Sequence, residues 1–239
     1  MAAENTIVIP DTHGHVKEVE QLIGKLDKLG YLPDRKLVFL GDYVDRGPAV
    51  RQLIDFCIGL QNDGHVMLAG NHEYTLLRAM QDGPDRVKWV SRWGRNYEDS
   101  TLASYGIPYR SGQSWEDRAD ELRQIMPQDH LRFLESLDWM YENDDLIAVH
   151  AGLDPLDDVE VQRQQLLSRA HPNERGPSQL FSHEFARTRA YNLGKVVVSG
   201  HASRFEPYVG PDRVMLDCGV DSGGPLVAWV ADTGEIIAR

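Results

Sequence analysis

Five short apolar runs in this 239-residue chain each stop at a stretch in which glycine stands beside aspartate, asparagine or histidine. Such runs, rich in valine, isoleucine and leucine and bounded by glycine, are typical of buried β-strands. They are Thr6 to Pro10, Lys36 to Gly41, His65 to Ala69, Leu146 to His150 and Lys195 to Gly200. Functional residues at the ends of strands that alternate with helices are the usual site geometry of open α/β sheets. The sequence therefore predicts that distant polar stretches meet at one edge of an α/β fold.

The polar stretches supply oxygen and imidazole ligands. They are Asp11-Thr12-His13-Gly14, Gly41-Asp42-Tyr43-Val44-Asp45-Arg46-Gly47, Gly70-Asn71-His72-Glu73, His150-Ala151-Gly152 and Gly200-His201. Carboxylate, amide and imidazole ligands without thiolate suit divalent first-row metals such as Mn, Fe or Zn. Glycine beside them lets the backbone turn sharply and approach a metal or phosphate closely. One such fragment arises by chance in many proteins, but the five in this order indicate a metal site.

Helical patterns follow two of the runs. Apolar residues recur at helical spacing from Val16 to Leu29 and, after Pro48, from Val50 to Leu60. This spacing predicts amphipathic helices behind the strands. Three further strands are predicted at Arg213 to Leu216, Leu226 to Val230 and Glu235 to Ala238. The last two are joined at Asp232-Thr233-Gly234, which predicts an antiparallel hairpin.

The segment from residue 81 to residue 144 has a different character, because it is mostly helical or irregular in pattern and contains four of the five tryptophans. These are Trp89, Trp93, Trp115 and Trp139. We interpret the segment as a helical and aromatic insert or cap beside the site. A simpler interpretation makes each tryptophan a core residue of a small helical lobe. No repeat or low-complexity linker divides the chain, so we predict a single domain over residues 1–239 with residues 81–144 as the insert.

The order of these motifs resembles the calcineurin-like metallophosphoesterases, and within them the phosphoprotein phosphatase branch that includes bacterial and phage enzymes. Thr6 to Tyr74 and Ile147 to Arg239 follow the family closely, whereas Thr75 to Leu146 matches loosely. A tryptophan- and glycine-rich insert of bacterial members is similar to Trp89, Trp93, Gly94, Thr101, Ser104, Tyr105 and Gly106. The resemblance implies a four-layer α-β-β-α sandwich of two mixed sheets with flanking helices and a small helical cap insert.

Three positions depart from the family pattern. Pro10 replaces the glycine that usually precedes the first aspartate, and it fixes the backbone there and removes a hydrogen-bond donor. Ala69 replaces an arginine that protein phosphatases often carry before Gly-Asn-His-Glu. His183 falls where a second arginine, usually part of a Trp-x-Arg run, is expected. These departures leave the metal-binding pattern complete and alter the set of residues expected to bind phosphate.

The resemblance implies a centre of two divalent ions, with manganese expected first and iron or zinc as alternatives. Its ligands would be Asp11, His13, Asp42, Asn71, His150 and His201. Asp42 would bridge the ions, because a shared carboxylate holds two metals about 3.5 to 4 Å apart, which suits an in-line displacement. Two divalent ions against two carboxylates leave an excess of about two positive charges, which attracts a phosphate dianion.

The resemblance also implies how the reaction proceeds. A hydroxide that bridges the metals would attack phosphorus directly, without a covalent phosphoenzyme. His72 would protonate the leaving oxygen as general acid, and Asp45 would hold its ring. Arg46 would bind the non-bridging phosphate oxygens through its planar guanidinium. Further candidates for binding the substrate are Arg92, Arg95 and Arg204.

Two other residues near the motifs are expected to be structural. Glu73 stands at the beginning of a predicted helix, where an acidic side chain stabilises the helix terminus electrostatically. Cys218 lies near the site by resemblance, but no adjacent base or cation marks it as a nucleophile.

Three functions are compatible with the motifs. The leading hypothesis is a metal-dependent phosphatase that hydrolyses phosphomonoesters, including phosphoserine or phosphothreonine in proteins. The first alternative is a symmetrical dinucleoside tetraphosphate (Ap4A) hydrolase, in which the aromatic insert would stack bases. The second alternative is a non-catalytic module that binds phosphorylated partners, although no ligand and no acid is missing. The partner would thus be a phosphorylated protein, a small phosphoester or a dinucleotide.

Charge and cysteine content exclude several classes. A formal charge of -12 should repel nucleic acid duplexes and anionic membranes, so neither is expected as a partner. Cys57 and Cys218 are too few for a disulfide framework, and no apolar run approaches the roughly 20 residues that span a bilayer. The first five residues form no apolar signal sequence. We expect a cytoplasmic enzyme, and the sequence gives no indication of its oligomeric state.

Overall fold

The computed structural model describes residues 5–96, 98–170 and 176–239. The strands in this part of the chain are β1 (Thr6–Ile9), β2 (Lys36–Phe39), β3 (Val66–Met67), β4 (Tyr141–Glu142), β5 (Leu146–Ala148), β6 (Val196–Ser199), β7 (Tyr208–Val209), β8 (Arg213–Met215), β9 (Val227–Val230) and β10 (Glu235–Ala238). The helices are α1 (Val16–Lys28), α2 (Val50–Asn62), α3 (Asn71–Met80), α4 (Arg86–Asn96), α5 (Glu98–Ser104), α6 (Trp115–Ile125), α7 (Gln128–Ser136), α8 (Val159–Ser168), α9 (Ser178–Phe181) and α10 (His183–Arg187). A short 3₁₀ turn covers Val220–Ser222.

The strands of the described residues form two five-stranded mixed sheets. The first has the order β10-β9-β1-β2-β3, in which β1, β2 and β3 are parallel, β9 is antiparallel to β1, and β9 and β10 form the predicted antiparallel hairpin. The second has the order β4-β5-β6-β8-β7, with β5, β6 and β8 parallel and an antiparallel strand at each edge. Parallel strands begin and end on the same sides, so each sheet has one edge where three carboxyl ends meet.

Alternation along the strands explains the layers. In β1, Ile7 and Ile9 pack into a cluster with residues of α1 and α2, whereas Val8 packs into a second cluster that contains residues of both sheets. In β6, Val198 belongs to the cluster between the sheets, and Val197 packs with Leu166 of α8 on the other side. Both faces of these inner strands are therefore covered, which is why β1 and β6 consist mostly of apolar residues. The predicted α-β-β-α sandwich is confirmed.

Helix α1 shows how the sequence forms an outer layer. Its buried residues Val19, Leu22 and Leu26 recur at helical spacing, and its polar residues face solvent. Burial of each such leucine contributes about 1.5 to 3 kcal/mol relative to exposure. The helix ends before Gly30, whose positive φ of 77° suits the position after a helix terminus.

The segment predicted as an insert contains α4 to α7, but its last residues belong to the second sheet. Tyr141 and Glu142 pair with β5 as an edge strand, a two-residue element too short to show periodicity in the sequence. Trp89 and Trp93 are buried, so these two tryptophans are core residues. The boundaries of the domain and of the insert stay a prediction.

Among the described helices, none combines the length and apolar character needed to cross a bilayer.

Candidate metal centre

The predicted ligands lie directly after the parallel strands of both sheets. Asp11 follows β1, Asp42 follows β2, His150 follows β5 and His201 follows β6. Two contacts join the carboxyl edges of the sheets: the His150 ring, through Nδ1, donates to the carbonyl oxygen of Leu40 (2.9 Å), and the His201 N–H donates to Asp11 Oδ1 (3.0 Å). The two sheet edges therefore form one site.

One group of ligand atoms surrounds the Asp42 carboxylate from the side of the first sheet. The Nε2 atoms of His13 and His72 lie 3.7 and 3.9 Å from Asp42 Oδ2. The three side chains are buried, and their ligand atoms all lie within 4.8 Å of one another. This grouping fits one divalent cation, with His72 as close to the carboxylate as the predicted ligand His13.

A second group shares the same carboxylate. His150 Nε2 lies 3.4 Å from Asp42 Oδ2, 3.2 Å from His201 Nδ1 and 3.1 Å from Asn71 Oδ1. Asp42 thus belongs to two neighbouring groups of side chains that could each hold a metal ion, which is the position expected of a carboxylate that bridges two ions.

The three imidazoles are oriented by backbone carbonyls. His13 Nδ1, His150 Nδ1 and His201 Nε2 lie 2.9, 2.9 and 3.2 Å from the carbonyl oxygens of Val44, Leu40 and Phe181. A carbonyl only accepts hydrogen bonds, so each of these ring nitrogens is the donor. In the neutral ring the other nitrogen then presents its lone pair to the Asp42 carboxylate. Histidine ligands of metals are held by outer hydrogen bonds of this kind, so the residues fit a cation.

Electrostatics favours the same conclusion. Burial, reinforced by neighbouring imidazoles, lowers the pKa of His13 and of His201 to about 3, so both are neutral near pH 7. Burial opposes ionisation of Asp42, but the imidazoles of His150, His72 and His13 hold its pKa well below the ordinary value. Burial and the charge of Asp217 raise the pKa of Asp11. A divalent cation would relieve the repulsion among these buried carboxylates.

His150 responds most strongly to the carboxylates. Burial disfavours its charged form, but Asp42 and Asp11 outweigh that effect and raise its pKa to about 10. A histidine ligand must be neutral, so binding of a cation at His150 would release a proton, and the affinity for metal is expected to increase with pH.

The loops of the site hold strained backbone. Of the eight described non-glycine residues with positive φ, five are predicted site residues: His13, Asp42, Asp45, Arg46 and His201. Such conformations cost about 1 to 3 kcal/mol each and persist only where the surrounding structure enforces them.

Glu73 is one residue that enforces them. Its buried carboxylate accepts hydrogen bonds from the backbone N–H groups of Asp42, Tyr43, Val44 and Gly70, at 2.7 to 3.0 Å. From the sequence, Glu73 is predicted to stabilise the terminus of the helix that it begins. The structure adds that Glu73 also holds the loop after β2. Nothing in the local sequence signals this longer-range contact.

The predicted acid and its partner form a close pair. His72 Nδ1 lies 2.7 Å from Asp45 Oδ2, and both side chains are buried. The backbone N–H of His72 donates to Asp42 Oδ1 at 3.1 Å. A carboxylate accepts, so Nδ1 carries the proton and Nε2 is directed towards Asp42.

The predicted substrate-binding arginines differ in their surroundings. Arg46 is 38% exposed, lies 3.2 Å from Asp221 through Nη1, and its charge contributes to lowering the pKa of the buried ring of His13. Arg95 donates to the carbonyl oxygen of Ser91 on its own helix, at 3.1 Å. The contacts of Arg204 are with Met215 Sδ, at 3.9 Å, and, through its backbone N–H, with the carbonyl of Asp217. Binding of substrate by these arginines stays a prediction.

The departures from the family pattern also lie at this site. Ala69 is buried and donates its N–H to the carbonyl of Asp138. The ring of His183 stacks on His201, with centroids 4.5 Å apart. Near it, the guanidinium of Arg92 lies 4.3 Å from the ring centroid of Phe181, whose carbonyl binds His201. Arg92 therefore packs on a residue whose carbonyl contacts the predicted ligand His201.

Replacement of Gly200 by alanine tests the placement of Asp11. A Cβ at this position would lie 2.0 Å from Asp11 Oδ1, so the carboxylate must move. We expect metal-dependent activity to fall about tenfold or more, the effect of disturbing the contacts that orient a ligand. Gly24→Ala is the matched control, since its Cβ meets nothing within 4 Å and alanine stabilises a helix interior by about 1 kcal/mol. Wild-type activity and metal content in Gly200→Ala would contradict the assignment.

Comparisons with known proteins agree with this geometry. The family profile of the calcineurin-like phosphoesterases matches residues 5–204. An asymmetrical bis(5'-nucleosyl)-tetraphosphatase of Bacillus velezensis is 24% identical over 93% of the chain and 87% of its own length. A putative serine/threonine-protein phosphatase of Caenorhabditis elegans is 41% identical over 69 residues. That alignment covers 28% of this chain and 18% of the relative.

A solved structure shares the fold. The crystal structure of a putative diadenosine tetraphosphatase superposes with a TM-score of 0.63 and 20% identity, covering 100% of this chain and 94% of that one. The profile match extends over most of the chain and over all six predicted metal ligands. The chain therefore belongs to the calcineurin-like phosphoesterase family, which confirms the prediction of a metal-dependent phosphatase.

Proposed function

We propose that the protein hydrolyses phosphomonoesters at a dinuclear metal centre. The six ligands would be Asp11, His13, Asp42, Asn71, His150 and His201. The observation that supports this most strongly is the Asp42 carboxylate, which faces His13 and His72 on one side and His150 on the other. A non-catalytic binding module would not require a buried acid beside such a centre.

Manganese is the proposed metal, with iron or zinc as alternatives, because the donors are oxygen and imidazole nitrogen. Burial and the charge of Asp217 raise the pKa of the Cys218 thiol to about 11, so it stays protonated and is a poor ligand. When bound, two divalent ions lower the pKa of a water molecule and withdraw charge from the phosphoryl oxygens.

His72 and Asp45 would supply the proton for the leaving group. The Asp45 carboxylate fixes the ring, and Nε2 faces the centre. A protonated Nε2 would give its proton to the ester oxygen as the bond to phosphorus breaks, and the His72 ring would return to its neutral form.

This acid favours esters of aliphatic alcohols over anhydrides. A serine or threonine alkoxide is a strong base and needs a proton in order to leave. A nucleotide leaves through a phosphate group, whose second pKa is near 6, so it is stable as an anion at neutral pH. The buried His72–Asp45 pair therefore supports phosphoserine or phosphothreonine in proteins as the substrate.

Arg46 would hold the substrate at the mouth of the centre. Its guanidinium is partly exposed and lies 3.2 Å from Asp221, and a planar guanidinium is well suited to donate to phosphate oxygens. Arg92 would assist from the insert, since Ala69 and His183 contribute no guanidinium. Fewer arginines than protein phosphatases often carry would weaken the binding of phosphate.

A second candidate is cleavage of dinucleoside tetraphosphates, and one observation favours it. The Bacillus velezensis relative, which aligns over 93% of this chain, is named a tetraphosphatase. Stacking of bases on Trp89 or Trp93 is not supported, because both rings are buried. Phe205, which is 98% exposed four residues after His201, is a better candidate for such contact.

A substrate panel distinguishes the candidates. The purified protein, supplied with Mn, Zn or Mg in turn, is assayed on phosphoserine and phosphothreonine peptides and on diadenosine tetraphosphate. Higher kcat/KM on the peptides would support the leading proposal. Preference for the dinucleotide would overturn it, and the products would show symmetrical cleavage (two ADP) or asymmetrical cleavage (AMP and ATP).

Addition of metal is expected to stabilise the fold. A ligand present at a hundredfold excess over its Kd adds about 2.7 kcal/mol to the free energy of unfolding. For a chain of this size that corresponds to roughly 5 to 11 °C in Tm. Thermal unfolding with and without manganese measures the shift, and a chelator should reverse it. Asp42→Asn should lose the shift and Asp27→Asn, on exposed surface, should keep it; equal shifts in both would contradict the proposed site.

A further inference from the structure

Two side chains of the insert bind the carboxylate that holds the proposed acid. Asp45 Oδ1 accepts hydrogen bonds from the Thr101 hydroxyl (2.6 Å) and from the Trp93 indole N–H (3.2 Å). The Thr101 oxygen also accepts the backbone N–H of Asp45, at 2.9 Å. Oδ2, the other carboxylate oxygen, faces His72 Nδ1 at 2.7 Å. The two oxygens of Asp45 are thus divided between the insert and the acid.

The surroundings make these bonds strong. Asp45, Thr101 and Trp93 have no exposed surface. Hydrogen bonds to an ionised group are shorter and stronger than neutral ones, and a low local dielectric strengthens them further. Without the two donors, Oδ1 would be a buried acceptor that has lost both of these hydrogen bonds, and the direction of Oδ2 towards the ring would be held less firmly.

The insert is itself held firmly where it supplies these donors. Trp93 lies on α4, and the residue after it, Gly94, allows the Trp115 ring to approach the helix closely. A Cβ at Gly94 would lie 2.3 Å from Trp115 Cγ. Thr101 lies on α5, and the Ser104 hydroxyl of that helix accepts the backbone N–H of Arg51 on α2, at 2.8 Å. Packing therefore holds Trp93 within the insert, and the contact of α5 with α2 holds Thr101 against the rest of the molecule.

A second anchor follows α5. The hydroxyl of Tyr105 lies 2.7 Å from His130 Nδ1, and His130 Nε2 lies 2.8 Å from Asp55 Oδ1 on α2. These contacts join the end of α5 to α7 and α2 through the buried ring of His130. The position of Thr101 is thus determined by packing away from the metal centre, as well as by its contact with Asp45.

We infer that Trp93 and Thr101 are positioning residues for proton transfer: they orient Asp45, which orients His72, so that the insert completes the catalytic centre. The inference rests on the proposed role of His72 as general acid. The two residues act on protonation of the leaving group. Their loss should therefore slow the hydrolysis of an ester more when its leaving group is more basic. A residue that only stabilises the fold would slow all substrates alike.

The test is a leaving-group series with variants that keep shape and remove a donor. Thr101→Val and Trp93→Phe are assayed on aryl phosphates of increasing phenol pKa and on a phosphoserine peptide. For Thr101→Val we expect kcat to fall about tenfold or more on the peptide, a part of the 10²- to 10⁴-fold that a general acid contributes, and little on the most acidic phenol. For Trp93→Phe we expect kcat to depend on the leaving group in the same way, with a smaller decrease on the peptide. Thr101→Ser keeps the hydroxyl and should restore the wild-type dependence.

Three controls separate the possible failures. His72→Asn sets the steepest dependence on the leaving group, and Tyr109→Phe, at an exposed position of the insert, should leave the dependence unchanged. If His72→Asn steepens it but Thr101→Val and Trp93→Phe slow all substrates equally, the inference is overturned and the acid role stands. If His72→Asn slows all substrates equally, the acid role and the inference with it are overturned. Circular dichroism and metal content establish that each variant is folded, and either donor variant suffices for the test.

Discussion

Asp42→Asn is expected to lower kcat/KM for a chromogenic aryl phosphate by more than about 10²-fold, beyond the loss that follows from disturbing outer contacts of a metal ligand. The side chain faces His13, His72 and His150 at 3.4 to 3.9 Å, and no other carboxylate belongs to both groups of ligand atoms in the described part of the chain. The imidazoles hold its pKa well below the ordinary value, so the charge is present at every working pH. Asparagine keeps the shape and removes this charge.

The fold should survive this substitution. The backbone carbonyl of Asp42 accepts the N–H groups of Thr12 and His13, and its N–H donates to Glu73, and asparagine retains all three contacts. Circular dichroism should therefore be unchanged while elemental analysis shows loss of bound metal. Asp27→Asn on exposed surface of α1 is the matched control and should behave as wild type. Near-normal turnover in Asp42→Asn would contradict a centre that depends on a shared carboxylate.

The positions of the predicted ligands could be inferred from the sequence because they follow from the order and direction of the strands. The apolar runs are largely buried, and every predicted ligand stands at the end of one or within three residues of it. Strand direction then brings residues together that are distant in sequence: His150 binds the carbonyl of Leu40, 110 residues earlier. Glycine marked the positions of closest approach, since a Cβ at Gly70 would lie 2.0 Å from Asp42 Oδ1.

The contacts that hold the loops could not be predicted, because they depend on tertiary packing. Glu73 binds three backbone N–H groups some 30 residues away, and its sequence context indicates only a helix terminus. The positive φ of Asp42 and Asp45 likewise has no local signal, since aspartate adopts it in ordinary turns. Strands β4 and β7, of two residues each, are too short for periodicity to reveal.

The two interpretations of the tryptophans, core residue or residue of a cap beside the site, are both true of Trp93. Its indole is fully buried, as expected of a core aromatic residue, and its N–H nevertheless binds Asp45 in the centre. A buried indole N–H usually finds an acceptor, but the sequence does not indicate which one. The identity of that partner is what connects the insert to the chemistry.

His72→Asn is expected to lower kcat on a phosphoserine peptide by about 10²- to 10⁴-fold, the contribution typical of a general acid. Asparagine has a similar size and its amide can still donate to Asp45, so the surrounding structure should be retained. KM should change little, because the ring is proposed to act on the leaving oxygen during bond cleavage and not on the bound phosphate. On an aryl phosphate with an acidic phenol the loss should be smaller, since that phenolate leaves without a proton.

Metal content decides between the two roles that the geometry allows for this ring. His72 Nε2 lies 3.9 Å from Asp42 Oδ2, close to the 3.7 Å of the predicted ligand His13, so a ligand role would appear as loss of metal in His72→Asn. We expect full metal content together with loss of turnover. His65→Asn, which replaces a half-buried histidine that accepts the N–H of Leu37, is the control and should retain activity. Loss of metal together with equal slowing of aryl and alkyl esters would instead make His72 a ligand and leave Asp45 without an acid to orient.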